Sequence, residues 1–315
     1  MAPADVRVRV AYDDMMTIHD FCTLYGASPQ AGALVRLMDD EAVRRIYLQG
    51  LSCSATPLLF ASVSQRVGRP VVFVLQDADE AGYFYHDLTQ TMGQEQVLFF
   101  PSGYRRSVKY GQRDAASEIL RTEVLTRITS LAEGALLYVV TYPEALAELV
   151  VNKQQLDNRR LHLAVGQTVD VSQVVSQLRE LQFEGVDYVY EPGQFALRGS
   201  ILDVYSYACE YPYRIDFFGD DIDTIRTFEV QDQLSRERRQ EVDIVPELAA
   251  FDTDRVSLLR LLPERSLLVM RDWTYVHGIV EQVFRDGFSS QALAERLEGA
   301  TEMERERILR DMRKE

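Results

Sequence analysis

Short apolar runs alternate with amphipathic stretches between about residues 40 and 145, and this alternation restricts the chain to a small group of folds. The runs are rich in β-branched and aromatic residues and bounded by Gly, Pro or Asp, which predicts buried strands. They lie at residues 45–48, 71–75, 97–100 and 136–140. Helical spacing is found at residues 77–92 and 113–131. Strands that alternate with helices indicate an α/β fold with a parallel sheet covered on both faces.

The pattern changes after about residue 150. One amphipathic helix is predicted at residues 171–181, where valine and leucine recur on one face. Four strands are predicted at residues 186–190, 201–207, 213–218 and 222–230. Gly193, Gly199 and Gly219 punctuate them as turns. Consecutive strands without intervening helices indicate a second, small α+β domain with an antiparallel sheet.

After about residue 240 the first pattern returns, with a strand predicted at 266–270 and a helix at 276–284. We therefore expect three segments. Residues 1–148 form the α/β domain, residues 149–238 form the inserted small domain, and residues 239–315 continue the first domain and end in a helical linker. The linker prediction rests on the charged helical pattern of residues 301–315, which has no C-capping glycine.

Composition narrows the function classes. The formal net charge is −15 with a pI near 4.8, so the overall field disfavours a large surface for nucleic acid. The three cysteines and four histidines lack metal-ligand spacing, so we expect no metal and no disulfide framework. No apolar run approaches the roughly 20 residues of a membrane span. We expect a cytoplasmic protein without a membrane segment and without a cofactor.

The segment from Gly50 to Pro57 lies where a P-loop belongs, after a predicted strand and before an amphipathic stretch. A working loop needs G-x-x-x-x-G-K-[ST], whose lysine neutralises phosphates and whose hydroxyl binds Mg²⁺. Here Ala55, Thr56 and Pro57 occupy the positions of the second glycine, the lysine and the hydroxyl residue. The pattern indicates a degenerate P-loop, and an ordinary strand-to-helix turn is the alternative.

A second degenerate nucleotide motif is predicted at the end of the strand at 266–270. A Walker B strand ends in acidic residues that hold Mg²⁺. Here Arg271 and Asp272 follow the strand, and a cation at the first position would repel the metal. A buried strand with a solvated end explains the same residues, and the chemistry favours that reading.

The strand at 213–218 combines interface-type residues on one face. Alternation directs Arg214, Asp216 and Phe218 to one side, and Tyr213, Ile215 and Phe217 to the other. Arginine and large aromatic residues are enriched at the centres of protein interfaces. A half-exposed sheet with a cross-strand Arg–Asp pair is the alternative.

Two motifs resemble a known family. The pattern F-x-x-R-G-x-x-x-D-V at 195–204 and the pattern Y-R-I-D-F-F-G-D-D-I-D-x-I-R-x-F at 213–228 are similar to the UvrA-binding domain shared by UvrB and the transcription-repair coupling factor, Mfd. The resemblance spans most of residues 40–275. The degenerate P-loop and the short stretch after Phe100, where UvrB has a long DNA-threading hairpin, favour the N-terminal UvrB-like module of the coupling factor.

The resemblance implies site residues and partners. Carried over motif by motif, it places a UvrA contact at Arg198, Arg214, Asp216, Phe217 and Phe218. Alternation supports Arg214, Asp216 and Phe218 independently but directs Phe217 inward. Asp203 and residues 220–223 are expected to be turn and rim charges.

The function implied is that of a non-catalytic adaptor that recruits UvrA to stalled transcription sites in nucleotide excision repair. The resemblance also implies intramolecular contacts that restrain a longer parent protein, an ATP-dependent DNA translocase. RNA polymerase and DNA would bind to later domains of that parent. The alternative function is a DNA-binding repair module. It would use Arg105, Arg106, Lys109 and Arg113, which are interleaved with Tyr104 and Tyr110 as in single-strand-binding surfaces.

Overall fold

The computed structural model describes residues 16–63, 66–103, 115–132, 134–248, 251, 254–287, 297, 303 and 305. Within them the α-helices are α1 (Ile18–Gly26), α2 (Pro29–Asp39), α3 (Ala55–Val63), α4 (Ala78–Met92), α5 (Ala115–Thr129), α6 (Pro143–Ala147), α7 (Lys153–Asp157), α8 (Val171–Glu180) and α9 (Trp273–Gly287). The strands are β1 (Val71–Val74), β2 (Val97–Phe99), β3 (Tyr138–Thr141), β4 (Leu149–Val151), β5 (Leu161–Ala164), β6 (Glu184–Gly185), β7 (Gln194–Arg198), β8 (Ile201–Val204), β9 (Tyr213–Phe218), β10 (Asp221–Phe228), β11 (Ser235–Arg239), β12 (Glu241–Ile244), β13 (Arg255–Ser257) and β14 (Leu267–Met270).

The chain divides into two compact units, one of Met1–Gly68 with His86–Gln96 and the other of Arg69–Tyr85 with Val97–Glu315. In the first unit, α1 and α2 both pack on α3. Neither α1 nor α2 is predicted above. Each nevertheless begins at a capping residue: the Thr17 hydroxyl accepts the amide of Asp20 at 3.2 Å, and Ser28 caps α2.

The second unit contains the predicted parallel sheet. Its four strands lie in the order β14-β1-β3-β2, and every neighbouring pair is parallel. All residues of β1 and β3 are buried, as expected for central strands of a sheet covered on both faces. The mixed α/β fold is therefore confirmed. The strand predicted at 45–48 is wrong: these residues are irregular, and Tyr47 is 88% exposed, so the apolar run has no ladder to join.

A six-stranded sheet forms the small domain, in the order β11-β10-β9-β8-β7-β6. All neighbours are antiparallel except the short β6–β7 pair. One face, which we call the inner face, packs against α8. Its core combines the following apolar side chains: Leu163, Val174, Leu178, Phe183, Phe195, Leu202, Val204, Ile215, Phe217, Ile222, Ile225, Val242 and Ile244.

The opposite side of this sheet is called the outer face, and it is only partly covered. The strand predicted at 186–190 is wrong, because Val186 and Val189 instead pack over this face against Ala196 and Phe228. Their apolar character reflects that covering role, whereas the adjacent ladder strand is β7, which the sequence pattern did not assign.

Two short antiparallel pairs, β5–β12 and β4–β13, precede the return of the chain to β14 beside β1. The division at residues 148 and 238 stays a prediction. The charged stretch 301–315 lies outside the described residues apart from Met303 and Arg305. Among the described helices, none has both the length and the apolar character needed to span a bilayer.

Candidate partner-binding surface

The β9–β10 hairpin presents the predicted residues. Gly219, with φ of +65°, provides the left-handed turn between the two strands. Along β9, burial alternates as the sequence indicates: Ile215 and Phe217 are buried, while Phe218 is 82% exposed. Arg214, Asp216 and Phe218 therefore share the outer face.

Phe217 has to be removed from the contact set that the resemblance implies. Its side chain is only 5% exposed and packs in the core of the inner face. Its burial follows from the two-residue period of a strand, which directs alternate side chains to opposite faces. Phe217 therefore packs beneath the hairpin in the core of the inner face, and its side chain is not accessible to a partner.

Asp203 on β8 is the centre of the outer face, and the expectation that it is a rim charge is wrong. Its side chain is fully buried, and both carboxylate oxygens are used. Arg214 donates from Nε to Oδ1 at 2.8 Å and from Nη2 to Oδ2 at 2.9 Å. Arg198 donates to Oδ2 as well. These hydrogen bonds with Asp203 raise the pKa of the Arg214 guanidinium above its ordinary value.

Both arginines also stack on aromatic rings. The Arg198 guanidinium lies 4.9 Å from the ring centroid of Tyr188 and donates to the carbonyl of Asp187 at 2.9 Å. The Arg214 guanidinium lies 4.4 Å from the ring centroid of Phe228. Ion pairs and stacking together fix two side chains that are otherwise long and mobile.

Asp216 is held by β10. It accepts a hydrogen bond from the Thr224 hydroxyl at 2.9 Å, and the Arg226 guanidinium donates to the same carboxylate oxygen. The cross-strand Arg–Asp pairing that was the alternative from the sequence is therefore present on the outer face, in the pairs Arg198–Asp203, Arg214–Asp203 and Arg226–Asp216. These ion pairs do not bury the outer face, because Phe218 on the same face remains exposed.

Arg226 and Tyr188 belong to this surface but were not singled out from the sequence. Arg226 lies directly opposite Arg214 in the hairpin register. Counting from the tight turn at Gly219 would have placed Ile225 opposite Arg214, because the register of the hairpin shifts by one residue within β10. No local signal in the sequence therefore marked Arg226, and none marked Tyr188, which lies in the segment that covers the outer face.

The segment Gly50–Pro57, for which a degenerate P-loop is predicted, lies in the first unit. Gly50 has φ of +85° and Cys53 has φ of +50°, and α3 begins at Ala55. Ala55, Thr56 and Pro57 thus form the first turn of α3, where a missing amide proton at Pro57 is tolerated. The Ser54 hydroxyl donates to Asp87 at 2.7 Å.

Arg271 and Asp272 lie in the second unit, after β14. Arg271 is an exposed cation 3.7 Å from the Glu80 carboxylate. The carboxylate of Asp272 accepts the amide of Thr274 at 2.7 Å and so caps α9. Both side chains therefore have structural partners. Within the described ranges, no group of three or more His, Cys, Asp or Glu could hold a metal ion.

The basic–aromatic cluster of Arg105, Arg106, Lys109 and Arg113, with Tyr104 and Tyr110, lies outside the described residues.

A family model identifies the class of the small domain, and curated proteins show the relatives of the chain. Residues 161–249, which include the whole six-stranded sheet and β5 and β12, match the family model of the UvrB interaction domain. The chain is also similar to curated transcription-repair-coupling factors. The Bacillus subtilis (strain 168) protein is 29% identical over 206 residues, which cover 65% of this chain and 17% of that protein. The Escherichia coli (strain K12) protein is 27% identical over 239 residues, covering 75% and 20%.

These matches confirm the resemblance to the N-terminal, UvrB-like module of transcription-repair coupling factors. The matched region spans 20% or less of the length of these two relatives.

Proposed function

We propose that this chain is a non-catalytic adaptor module of transcription-coupled nucleotide excision repair, and that it recruits UvrA through the outer face. Phe218 is the observation that carries the proposal. A large apolar ring, 82% exposed at the end of a well-ordered strand, is typical of an interface anchor. The match of residues 161–249 to the UvrB interaction domain supports UvrA as the partner.

The ion-paired arginines around Phe218 suit the same role. Arg198 and Arg214 are already fixed by Asp203, so a partner that contacts them would lose little additional side-chain entropy. Their charges would determine orientation and partner choice, while Phe218 would provide the buried apolar contact. The proposed contact set is therefore Arg198, Arg214, Asp216 and Phe218.

The wider role follows from the relatives. We propose that the module acts in the cytoplasm as part of a longer ATP-dependent DNA translocase, whose other segments bind RNA polymerase and DNA. Intramolecular contact with those segments would restrain the parent protein until UvrA is needed.

Replacing Phe218 with alanine should weaken UvrA binding by about 2 kcal/mol or more, roughly 30-fold in Kd. The Tm should not fall, because the ring contributes little to the folded core. Calorimetric titration of purified UvrA into the chain measures the first quantity, and thermal unfolding measures the second.

Tyr83→Ala is the matched control. Tyr83 lies on α4, outside the six-stranded sheet, and is 77% exposed, so its truncation removes a comparable exposed ring. Its UvrA affinity should equal that of the unsubstituted chain. Normal UvrA binding by Phe218→Ala would show that the outer face is not the contact. Arg214→Ala is a less clean test, because it also leaves the buried Asp203 with one cation fewer.

We also propose, from the two nucleotide motifs, that the chain catalyses no reaction. Thr56 and Pro57 stand where a phosphate-binding lysine and a magnesium-binding hydroxyl would be, and Arg271 brings a cation to the other motif. Millimolar MgATP should therefore leave the Tm of the chain unchanged, because a ligand stabilises only what it binds. A rise in Tm with MgATP, or ATP turnover by the chain alone, would refute this part of the proposal.

A further inference from the structure

Strand β11 is an open edge of the six-stranded sheet as far as the described residues show. Among them it pairs only with β10, and all five of its residues are exposed. The other edge, β6, is only two residues long. An edge strand of this length presents unpaired backbone donors and acceptors that an added strand can use.

The hydrogen bonds of β10 show which groups of β11 are unpaired. The amide of Phe228 donates to the carbonyl of Pro212, towards β9, whereas the amide of Glu237 donates to the Thr227 hydroxyl on β10. In an antiparallel ladder, successive residues direct their backbone groups alternately to the two sides. The register of β11 against β10 shifts between Arg226 and Phe228, so the alternation is counted only from Glu237 to its neighbour Arg238, which lies opposite Arg226. The amide and carbonyl of Arg238 therefore point away from β10, to the open edge.

The side chain of Arg238 lies on the outer face at the end of a row of arginines. Arg238 is directly opposite Arg226, and Arg226 is directly opposite Arg214. Asp203 neutralises Arg214 and Asp216 neutralises Arg226. In the part of the chain that the structure describes, the Arg238 guanidinium has no hydrogen bond or ion pair. Arg238 is therefore the arginine of this row that has no carboxylate partner among the described residues, and it lies beside the open edge.

The charge pattern of β11 disfavours a second copy of the chain as the occupant. In an antiparallel pair of two β11 strands centred on Glu237, Arg236 would lie opposite Arg238. Like charges directly opposite each other are destabilising. Charged edges of this kind protect a sheet against self-association, and the same arginines would attract a strand of opposite charge.

We propose that β11 is a docking site for an extended, acidic segment of a partner protein, which adds to the sheet as a further strand. Its backbone would pair with the outward amide and carbonyl of Arg238, and a carboxylate opposite Arg238 would neutralise the end of the arginine row. This site goes beyond the UvrA contact proposed above, because it uses the edge of the sheet and does not need Phe218.

A peptide of seven residues that alternates valine with glutamate tests the proposal directly with the full chain. Its Kd is measured by calorimetry, beside a peptide in which lysine replaces every glutamate. The acidic peptide should bind at least about tenfold more tightly than the basic one. Amide hydrogen exchange should slow at Arg238 when the acidic peptide is bound. Absence of binding by the acidic peptide, or equal binding of both, would overturn the proposal.

Two variants and one control separate edge pairing from general attraction. Arg238→Glu should weaken binding of the acidic peptide by about tenfold or more, because it places like charges together. Arg239→Glu changes the net charge equally, but its side chain projects from the other face and pairs with Glu237, so it should retain binding. Arg238→Pro removes the outward amide without breaking the β10 ladder, and it should also abolish binding.

Equal loss in Arg238→Glu and Arg239→Glu would show only non-specific electrostatics and would refute the docking site. Unchanged exchange at Arg238 in the bound state would refute it as well. Neither result depends on UvrA, so a failure here is distinguishable from a failure of the outer-face contact.

Discussion

Replacing Asp203 with alanine should lower the free energy of unfolding by about 3–5 kcal/mol, because it leaves partly buried arginines without their counter-charge. The Asp203 side chain is fully buried, and it is the carboxylate for both Arg198 and Arg214. The guanidinium of Arg214 is 15% exposed and packed on Phe228, so water replaces the lost partner poorly. Urea unfolding at constant pH measures the change.

Asp223→Ala is the control for the Asp203 experiment. Asp223 is an exposed carboxylate on β10 of the same sheet, and its loss should change stability by no more than about 0.5 kcal/mol. The loss of stability in Asp203→Asn should lie between the losses in Asp203→Ala and Asp223→Ala, since the amide keeps one acceptor but loses the charge. A loss below about 1 kcal/mol in Asp203→Ala would mean that the arginines relax into solvent, and the fixed outer face would have to be abandoned.

The orientation of Arg214, Asp216 and Phe218 could be predicted from the sequence because it depends on one strand alone. The two-residue period of β9 and the turn at Gly219 are local features. The role of Asp203 could not be predicted in the same way. It depends on the register of β8 against β9, which places Asp203 opposite Arg214, and no local pattern encodes that register.

The two wrong strands have a common cause. An apolar run of four or five residues shows that side chains are buried, or merely apolar, without showing what covers them. Val186 and Val189 cover the outer face, and the run at 45–48 remains largely exposed. By contrast, the starts of α1 and α2 were readable: Thr17 with Asp20 forms a capping box, and Ser28 precedes Pro29.

A second buried ion pair stabilises the parallel-sheet part of the molecule. Glu148, just before β4, lies 3.1 Å from the Arg121 guanidinium on α5, and both side chains are under 10% exposed. The same carboxylate accepts the amide of Gly103 at 3.0 Å and the hydroxyl of Ser102. A Cβ at Gly103 would lie 2.5 Å from the Glu118 carboxylate, so a larger residue there would require the Glu118 side chain to shift.

Replacing Glu148 with alanine should therefore lower the free energy of unfolding by about 3–5 kcal/mol, since the buried Arg121 loses the carboxylate with which it pairs. Glu281→Ala is the matched control, because its pair with Arg285 is exposed on one helix and contributes only about 0.3–0.5 kcal/mol. Arg121 also donates to the carbonyl of Pro101 at 2.8 Å and stacks on Phe100, so it is not free to turn outward when the carboxylate is removed. Equal, small losses in the two variants, measured by urea unfolding, would show that the Arg121–Glu148 pair is solvated in solution. A large loss confined to Glu148→Ala would show that the end of β2, α5 and the start of β4 are joined by charge as well as by apolar packing.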